Sequence, residues 1–180
     1  ISVGGGNTHT CAILDDGSLK CWGWNAYGQL GISSTTNQNT PQTVDLGTGR
    51  TAVSVKGGWG HTCAELDDSS LKCWGQNSQG QLGIGSTTSQ TTPQTVSFSN
   101  NQTPTGLIVS QYASCAVLED TRMMCWGSNR YWFESSFSVN ILTPKYLSRS
   151  ENINLVEVSG GRSHTCAILD DGSLKCWGYN

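Results

Sequence analysis

Three side chains in one short stretch have the types and spacing to hold a metal ion: His9, Cys11 and Cys21, with Asp15 and Asp16 between them. On an extended chain His9 and Cys11 point to the same side, because side chains alternate across a strand. If the chain turns back between the cysteines, Cys21 joins them, and an imidazole with two thiolates makes three ligands of a zinc site. The same residues suit other chemistries. Cys11 and Cys21 could be joined as a disulfide, His9 could act as an acid or base near neutral pH, and the paired carboxylates could hold calcium.

Repetition decides among these. His9 to Gly23 returns letter for letter as His164 to Gly178, 155 residues later, with a close copy at His61 to Gly75 and a worn one at Ala113 to Gly127. The first cysteines of the pairs are 52, 52 and 51 residues apart. Such a period marks stacked repeats, each burying its apolar face against its neighbours. In the third copy Ala113 replaces the histidine, yet Cys115 and Cys125 remain. A metal site would lose a ligand there, whereas a disulfide would not. The expected bonds are Cys11–Cys21, Cys63–Cys73, Cys115–Cys125 and Cys166–Cys176, each stapling a hairpin and worth about 2.5–3 kcal/mol by loop closure. Disulfides persist in oxidising compartments, so a secreted, extracellular protein is expected. No metal and no cofactor are expected. His9, His61 and His164 read as repeat architecture, bonded to backbone near a glycine pair, since nothing places a nucleophile beside them. Asp15-Asp16, Asp67-Asp68 and Asp170-Asp171 read as turn formers. No nucleophile, base and orienting group recur together, so the chain is not read as an enzyme.

These residues need hairpins to hold them. The alternation in His-Thr-Cys-Ala-x-Leu and Leu-Lys-Cys-Trp-Gly, broken by Asp, Gly and Ser, predicts two strands and a tight turn. With Cys11 opposite Cys21, Leu14 faces Ser18 across a three-residue loop, Asp15-Asp16-Gly17. The last residue of such a loop is left-handed, which suits Gly17 and Gly172 but must be adopted at a cost by Ser69 and Thr121. In this register Cys11, Ile13, Leu19 and Cys21 share an apolar face for the next unit. An opening strand with a glycine pair precedes each hairpin (Val3, Val55, Val158), and Trp-Gly-x-Asn follows it, at Asn25, Asn77, Asn129 and Asn180. Gly-Gln-Leu-Gly then appears at Gly28 to Gly31 and Gly80 to Gly83. Pro41, Pro93 and Pro144 suit a closing edge strand, where no ladder donor is missed. Trp22, Trp74, Trp126 and Trp177 suit packing between units. The units are 1–52, 53–106, 107–155 (degenerate) and 156–180, the last the first half of a repeat.

In this order and spacing, Val-x-x-Gly-Gly-x-x-His-Thr-Cys-Ala-x-Leu-x-Asp-Gly-x-Leu-x-Cys-Trp-Gly-x-Asn-x-x-Gly-Gln-Leu-Gly resembles the regulator of chromosome condensation repeat. The resemblance covers essentially the whole chain. It implies an all-β fold of tandem four-stranded propeller blades, in a family that typically closes about seven blades of about 50 residues. The paired cysteines look like the secreted branch of this class. Here there are about three and a half blades, which implies an incomplete or open propeller or a superhelical array.

Composition narrows the partners. Charged residues are 13% of the chain, the formal charge is −3, and no Lys/Arg run is present, which argues against nucleic acid. No apolar run approaches the roughly 20 residues that span a bilayer. Ile1 carries neither an initiator Met nor a signal-peptide pattern, so the chain reads as processed or cut from something longer. The hydroxyl-rich loops, with Ser33, Ser34, Thr35, Thr36 and Thr40, then Ser86, Thr87, Thr88, Thr91 and Thr92, are compositional candidates for O-glycosylation. Asn101 is the N-glycosylation candidate.

Function is sought where repeats differ, since shared residues are accounted for by the fold. The third unit places Arg130, Tyr131, Trp132 and Phe133 where Gly-Gln-Leu-Gly is expected, either as a contact patch or as a repacked blade edge. The leading expectation is an extracellular structural repeat protein that self-associates into a fibre, filament or surface assembly. The letter-for-letter return at offset 155 favours it. The alternative is a secreted closed propeller that binds a protein partner. Alanine at Tyr131, Trp132 and Phe133 is expected to weaken association without unfolding the chain. Loss of the folded state by circular dichroism would instead favour the repacked edge.

Overall fold

The computed structural model describes residues 1–99, 102–128, 140–146, 155–161 and 164–178. Arg130, Tyr131, Trp132, Phe133 and Asn101 lie outside the described residues.

The described chain is all β. The first sheet contains β1 (Ser2–Gly5), β2 (His9–Ile13), β3 (Leu19–Gly23) and β4 (Gln38–Thr43), each antiparallel to the next. The second repeats it as β5 (Ala52–Gly57), β6 (His61–Leu66), β7 (Leu71–Gly75) and β8 (Gln90–Thr95). The third is β9 (Pro104–Val109), β10 (Ala113–Leu118), β11 (Met123–Gly127) and β12 (Ile141–Tyr146). The last described sheet has β13 (Leu155–Gly160), β14 (His164–Leu169) and β15 (Leu174–Gly178). Strand order follows chain order in each, so every sheet is a meander with edges at its first and last strands. Pro41, Pro93 and Pro144 fall in the closing edge strands, where a missing N–H breaks no ladder.

The central hairpins have the register the cysteine spacing implies. Cys11 pairs with Cys21, Cys63 with Cys73, Cys115 with Cys125 and Cys166 with Cys176, and each pair is a disulfide. Leu14 N–H donates to Ser18 O and Gly17 N–H to Leu14 O, closing the loop. Asp16 Oδ1 accepts the Ser18 N–H at 2.9 Å, and Asp68, Asp120 and Asp171 accept equivalent bonds. The second carboxylate of each turn is therefore engaged with its own loop. The last loop position has φ of 77° at Gly17 and 78° at Gly172, and Ser69 and Thr121 adopt the same conformation at 61° and 67°.

The sheets stack face to face around their first strands. One core joins Cys11, Ile13, Leu19, Cys21 and Leu30 of the first unit to Val55, Ala64, Leu66 and Trp74 of the second. A second core repeats this with Cys63, Leu71, Cys73 and Leu82 against Ala116, Leu118, Met124 and Trp126. Each unit thus has a forward face, carrying the disulfide, and a back face, carrying alanine, leucine and tryptophan. First strands approach so closely that side chains are excluded. A Cβ on Gly57 would sit 2.7 Å from Gly6 Cα, and Asn7 N–H donates to Gly58 O at 3.0 Å across the gap.

Replacing Ser69 with Gly removes a left-handed L-residue and is expected to raise unfolding free energy by roughly 0.5–1 kcal/mol. Gly17→Ala acts the other way, since its Cβ would also lie 2.6 Å from Thr51 Cβ. Urea midpoints moving in the same direction for both variants would contradict the turn geometry.

Candidate functional site

The histidines first considered as ligands sit at the seams between units. His9 is buried, and its Nε2 lies 2.8 Å from Thr62 Oγ1 of the next unit. Thr62 Oγ1 donates its one hydrogen to Gln29 O at 2.8 Å. The histidine must therefore supply the hydrogen of the first bond, which fixes its Nε2–H tautomer. Trp74 Nε1–H donates to the same Gln29 carbonyl at 2.9 Å. The next seam is built identically: His61 Nε2–H to Ser114 Oγ at 3.0 Å, Ser114 Oγ to Gln81 O at 3.0 Å, and Trp126 Nε1–H to Gln81 O at 2.9 Å.

Local sequence explains each member. Gly28-Gln29-Leu30-Gly31 is a tight turn with left-handed glycines at both ends, and Gly31 lies flat on the Trp74 indole, 2.7 Å from Nε1 to where a Cβ would be. Gln29 Oε1 accepts Tyr27 N–H, and buried Asn25 Oδ1 accepts Leu30 N–H, so the carbonyl of Gln29 is aimed forward. Asn25 Nδ2 also donates to Ser34 O and Thr36 O, and Asn77 does the same to Ser86 O and Thr88 O.

Of the O-glycosylation candidates, Ser33, Ser34, Thr35, Thr36, Ser86, Thr87 and Thr88 occupy these pinned loops, while Thr40 lies in β4 and Thr91 and Thr92 in β8. Ser33, Thr35, Thr36, Thr40, Thr87 and Thr88 are exposed, while Ser34, Ser86, Thr91 and Thr92 are half-buried. Ser34 Oγ and Ser86 Oγ accept bonds within their own loops, and Thr40 Oγ1 and Thr92 Oγ1 accept bonds from Gln42 and Gln94 of their own strands.

The expectation that the histidines bond to backbone is replaced by this relay. The glycine pair does contact the ring, since a Cβ on Gly6 would lie 2.6 Å from His9 Nδ1, but the bond runs to a hydroxyl on the neighbouring unit. Burial holds His9 neutral, with its pKa lowered to about 4, and His61 lower still, to about 3, by burial and then by the His9 charge. The cysteines beside them are disulfides, so they offer no thiolate. Among the described residues no three His, Cys, Asp or Glu side chains gather as a metal set. No described helix is long and apolar enough to cross a membrane.

A second feature lies at one end of the blades. Trp24 follows β3, Tyr27 follows it in the same loop, Trp59 precedes β6 and Tyr112 precedes β10. Their half-buried rings form a chain across three units: Trp24 to Tyr27 at 5.3 Å, Trp24 to Trp59 at 5.7 Å, Tyr27 to Trp59 at 5.8 Å and Trp59 to Tyr112 at 6.1 Å. Beside them opens a recess of about 420 Å³ lined by Gly6, Asn7, Gly58, Trp59, Ser110 and Gln111. None of these lining residues is charged. The four rings stand at positions that vary between units: Trp24 matches Gln76, Ser128 and Tyr179, and Trp59 matches Asn7, Gln111 and Arg162. Comparing every unit at such positions would have found them; attention to the third unit alone did not. Tyr131 falls in register with Tyr27.

Two models of the Regulator of chromosome condensation (RCC1) repeat match the chain, one over residues 16–64 and 71–117 and the other over 1–29, 52–81 and 155–180. The chain belongs to the RCC1 repeat family. It is 28% identical over 176 residues to the ultraviolet-B receptor UVR8 of Arabidopsis thaliana, covering 97% of this chain and 40% of that protein. Human WBSCR16 superposes on 99% of this chain with a TM-score of 0.87 at 19% identity, over 47% of its own length. Yeast RCC1 (Prp20), solved bound to Kap60, superposes on 99% with a TM-score of 0.82 at 18% identity, over 43% of its length. The fold is that of RCC1-type β-propeller blades, and the chain spans less than half the length of these relatives.

Buried neutral histidines make the seams acid-labile. A histidine whose folded pKa lies below its unfolded value near 6.5 contributes its full stability above about pH 6.5 and loses it as pH falls toward the folded value. For His9 and His61 that window runs from about 6.5 down to about 4 and about 3. Between pH 7 and 5 the two together are expected to cost roughly 3–4 kcal/mol of unfolding free energy. Urea titrations should show this slope in the wild type and a flatter one in a His9→Gln/His61→Gln variant. Equal slopes would contradict the buried neutral state.

Proposed function

We propose that the chain acts by binding rather than by catalysis, as an extracellular, disulfide-stapled propeller segment that engages a protein partner through its aromatic end. The observation that carries this reading is the run of Trp24, Tyr27, Trp59 and Tyr112 across three units, left half-buried at one end. Tryptophan and tyrosine are enriched among residues that dominate protein interfaces, because they bury much area at little entropic cost. These rings occupy variable positions and make none of the seam bonds described above, which supports a role outside the fold. Yeast RCC1 was solved with Kap60 bound, which supports partner binding. The four disulfides support an oxidising compartment.

A structural role, in which copies build a fibre or surface assembly, is the second reading. It is favoured by the identity of His164 to Gly178 with His9 to Gly23.

The first reading is tested by screening secreted and surface proteins against the chain and measuring Kd for each hit. The Trp24→Ser/Trp59→Ser variant is expected to weaken binding by about 30-fold or more, some 2 kcal/mol, with all four disulfides intact by mass. Equal affinity of wild type and variant for every hit would overturn it.

A further inference from the structure

Trp59 is the middle ring of the aromatic chain. It precedes β6 in the second unit, with Trp24 and Tyr27 of the first unit on one side and Tyr112 of the third on the other. The surface around it therefore straddles two internal seams. Backbone bonds place amide and hydroxyl side chains beside these rings. Trp59 N–H donates to Gln111 O at 3.3 Å, Gln76 N–H to Gly60 O at 2.8 Å and Ser128 N–H to Tyr112 O at 2.9 Å.

Gln76 is the member that the fold does not explain. It stands where the first unit has Trp24, and it is 8% exposed. Its Nε2–H donates to Ser78 Oγ at 3.5 Å, at the limit of a hydrogen bond, while its buried Oε1 has no partner within the protein. Turning the amide over would only change which polar atom is orphaned. A buried amide atom left unpaired destabilises a fold, so its presence calls for a reason. The point where a Cβ on Gly60 would sit is 3.1 Å from Gln76 Oε1 and 3.0 Å from Tyr27 Cδ2. The orphaned oxygen thus lies next to the Trp59 backbone, beside the edge of Tyr27.

A neutral sugar chain suits these groups. A pyranose offers a C–H face that lies on an aromatic ring and a rim of hydroxyls that both donate to and accept from amides. The ring centroids advance 5.7 Å from Trp24 to Trp59 and 6.1 Å from Trp59 to Tyr112, close to the advance of one residue along a sugar chain. Gln76, Gln111 and Ser128 are uncharged, so this set holds no counter-ion for a sulfated or sialylated chain. It also lacks arginine, which joins tryptophan and tyrosine in peptide hot spots. We propose that this surface binds the neutral oligosaccharide of a glycosylated partner. Sugar rings stack on Trp59 and Tyr112, and a sugar hydroxyl donates to Gln76 Oε1 once the Tyr27 side chain turns aside. The proposal rests on the reading of the aromatic end as a binding surface and names what that end recognises.

Calorimetric titration of the whole chain with mannohexaose and with chitohexaose is expected to give saturable binding to at least one of them. Trp59→Ala is expected to weaken it about tenfold or more, and Gln76→Leu about fivefold or more. Gln76→Leu separates recognition from structure. Removing an unpaired buried amide should leave the urea midpoint unchanged or raise it, so weaker sugar binding at undiminished stability has no structural cause. Protein hits for the aromatic end, once stripped of glycans by glycosidase, should bind the wild type no better than they bind the Trp24→Ser/Trp59→Ser variant. Absence of binding to both hexasaccharides at millimolar concentration, or wild-type affinity in Gln76→Leu, overturns the proposal. Hits that keep their affinity after glycan removal yet lose it in the double variant also overturn it, and they leave the protein-binding reading standing.

Discussion

The two described seams each depend on one backbone carbonyl. Gln29 O receives the Trp74 indole N–H and the Thr62 hydroxyl from the next unit, and Gln81 O receives Trp126 and Ser114. A carbonyl has two lone pairs, and both are used. Buried polar groups carry a desolvation penalty unless bonded, so an indole and a hydroxyl enclosed in an apolar seam can occupy only one place. Dispersion and burial supply most of the attraction between blades, but they would tolerate sliding. The carbonyl fixes the position along the seam.

That fixed position explains why the repeat spends so many residues on glycine. Gly31 must lie against the Trp74 ring for the carbonyl before Leu30 to reach it, and Gly83 does the same against Trp126. At the inner end, Gly6 and Gly58 allow adjacent first strands to touch backbone to backbone and give the histidine ring its space. The disulfides act at a different level. Each lies within one sheet, between paired residues of a single hairpin, and so stiffens a unit without tying it to its neighbours.

Much of this was legible from spacing alone. Cysteines ten apart set the hairpin register, and the register implied a left-handed residue at Ser69 and Thr121, which both adopt. Those deductions work because strand pairing is local and its period is fixed. The partner of His9 was not legible: it lies 53 residues away on another unit, and only the stacking of sheets brings Thr62 to it. The aromatic end was missed for a related reason. Trp24 and Trp59 are 35 apart in sequence and break the repeat pattern, so neither periodicity nor motif points to them together.

Each seam is written half in one unit and half in the next, and this has an evolutionary consequence. A recombination joining His9 to Gly23 of one gene copy to His164 to Gly178 of another would exchange identical hairpins. The forward face of that hairpin would still meet a back face of the described kind, carrying threonine or serine, alanine, leucine and tryptophan. Units could then be gained or lost in blocks with no seam needing repair, and the number of blades becomes a heritable variable separate from the surface they display.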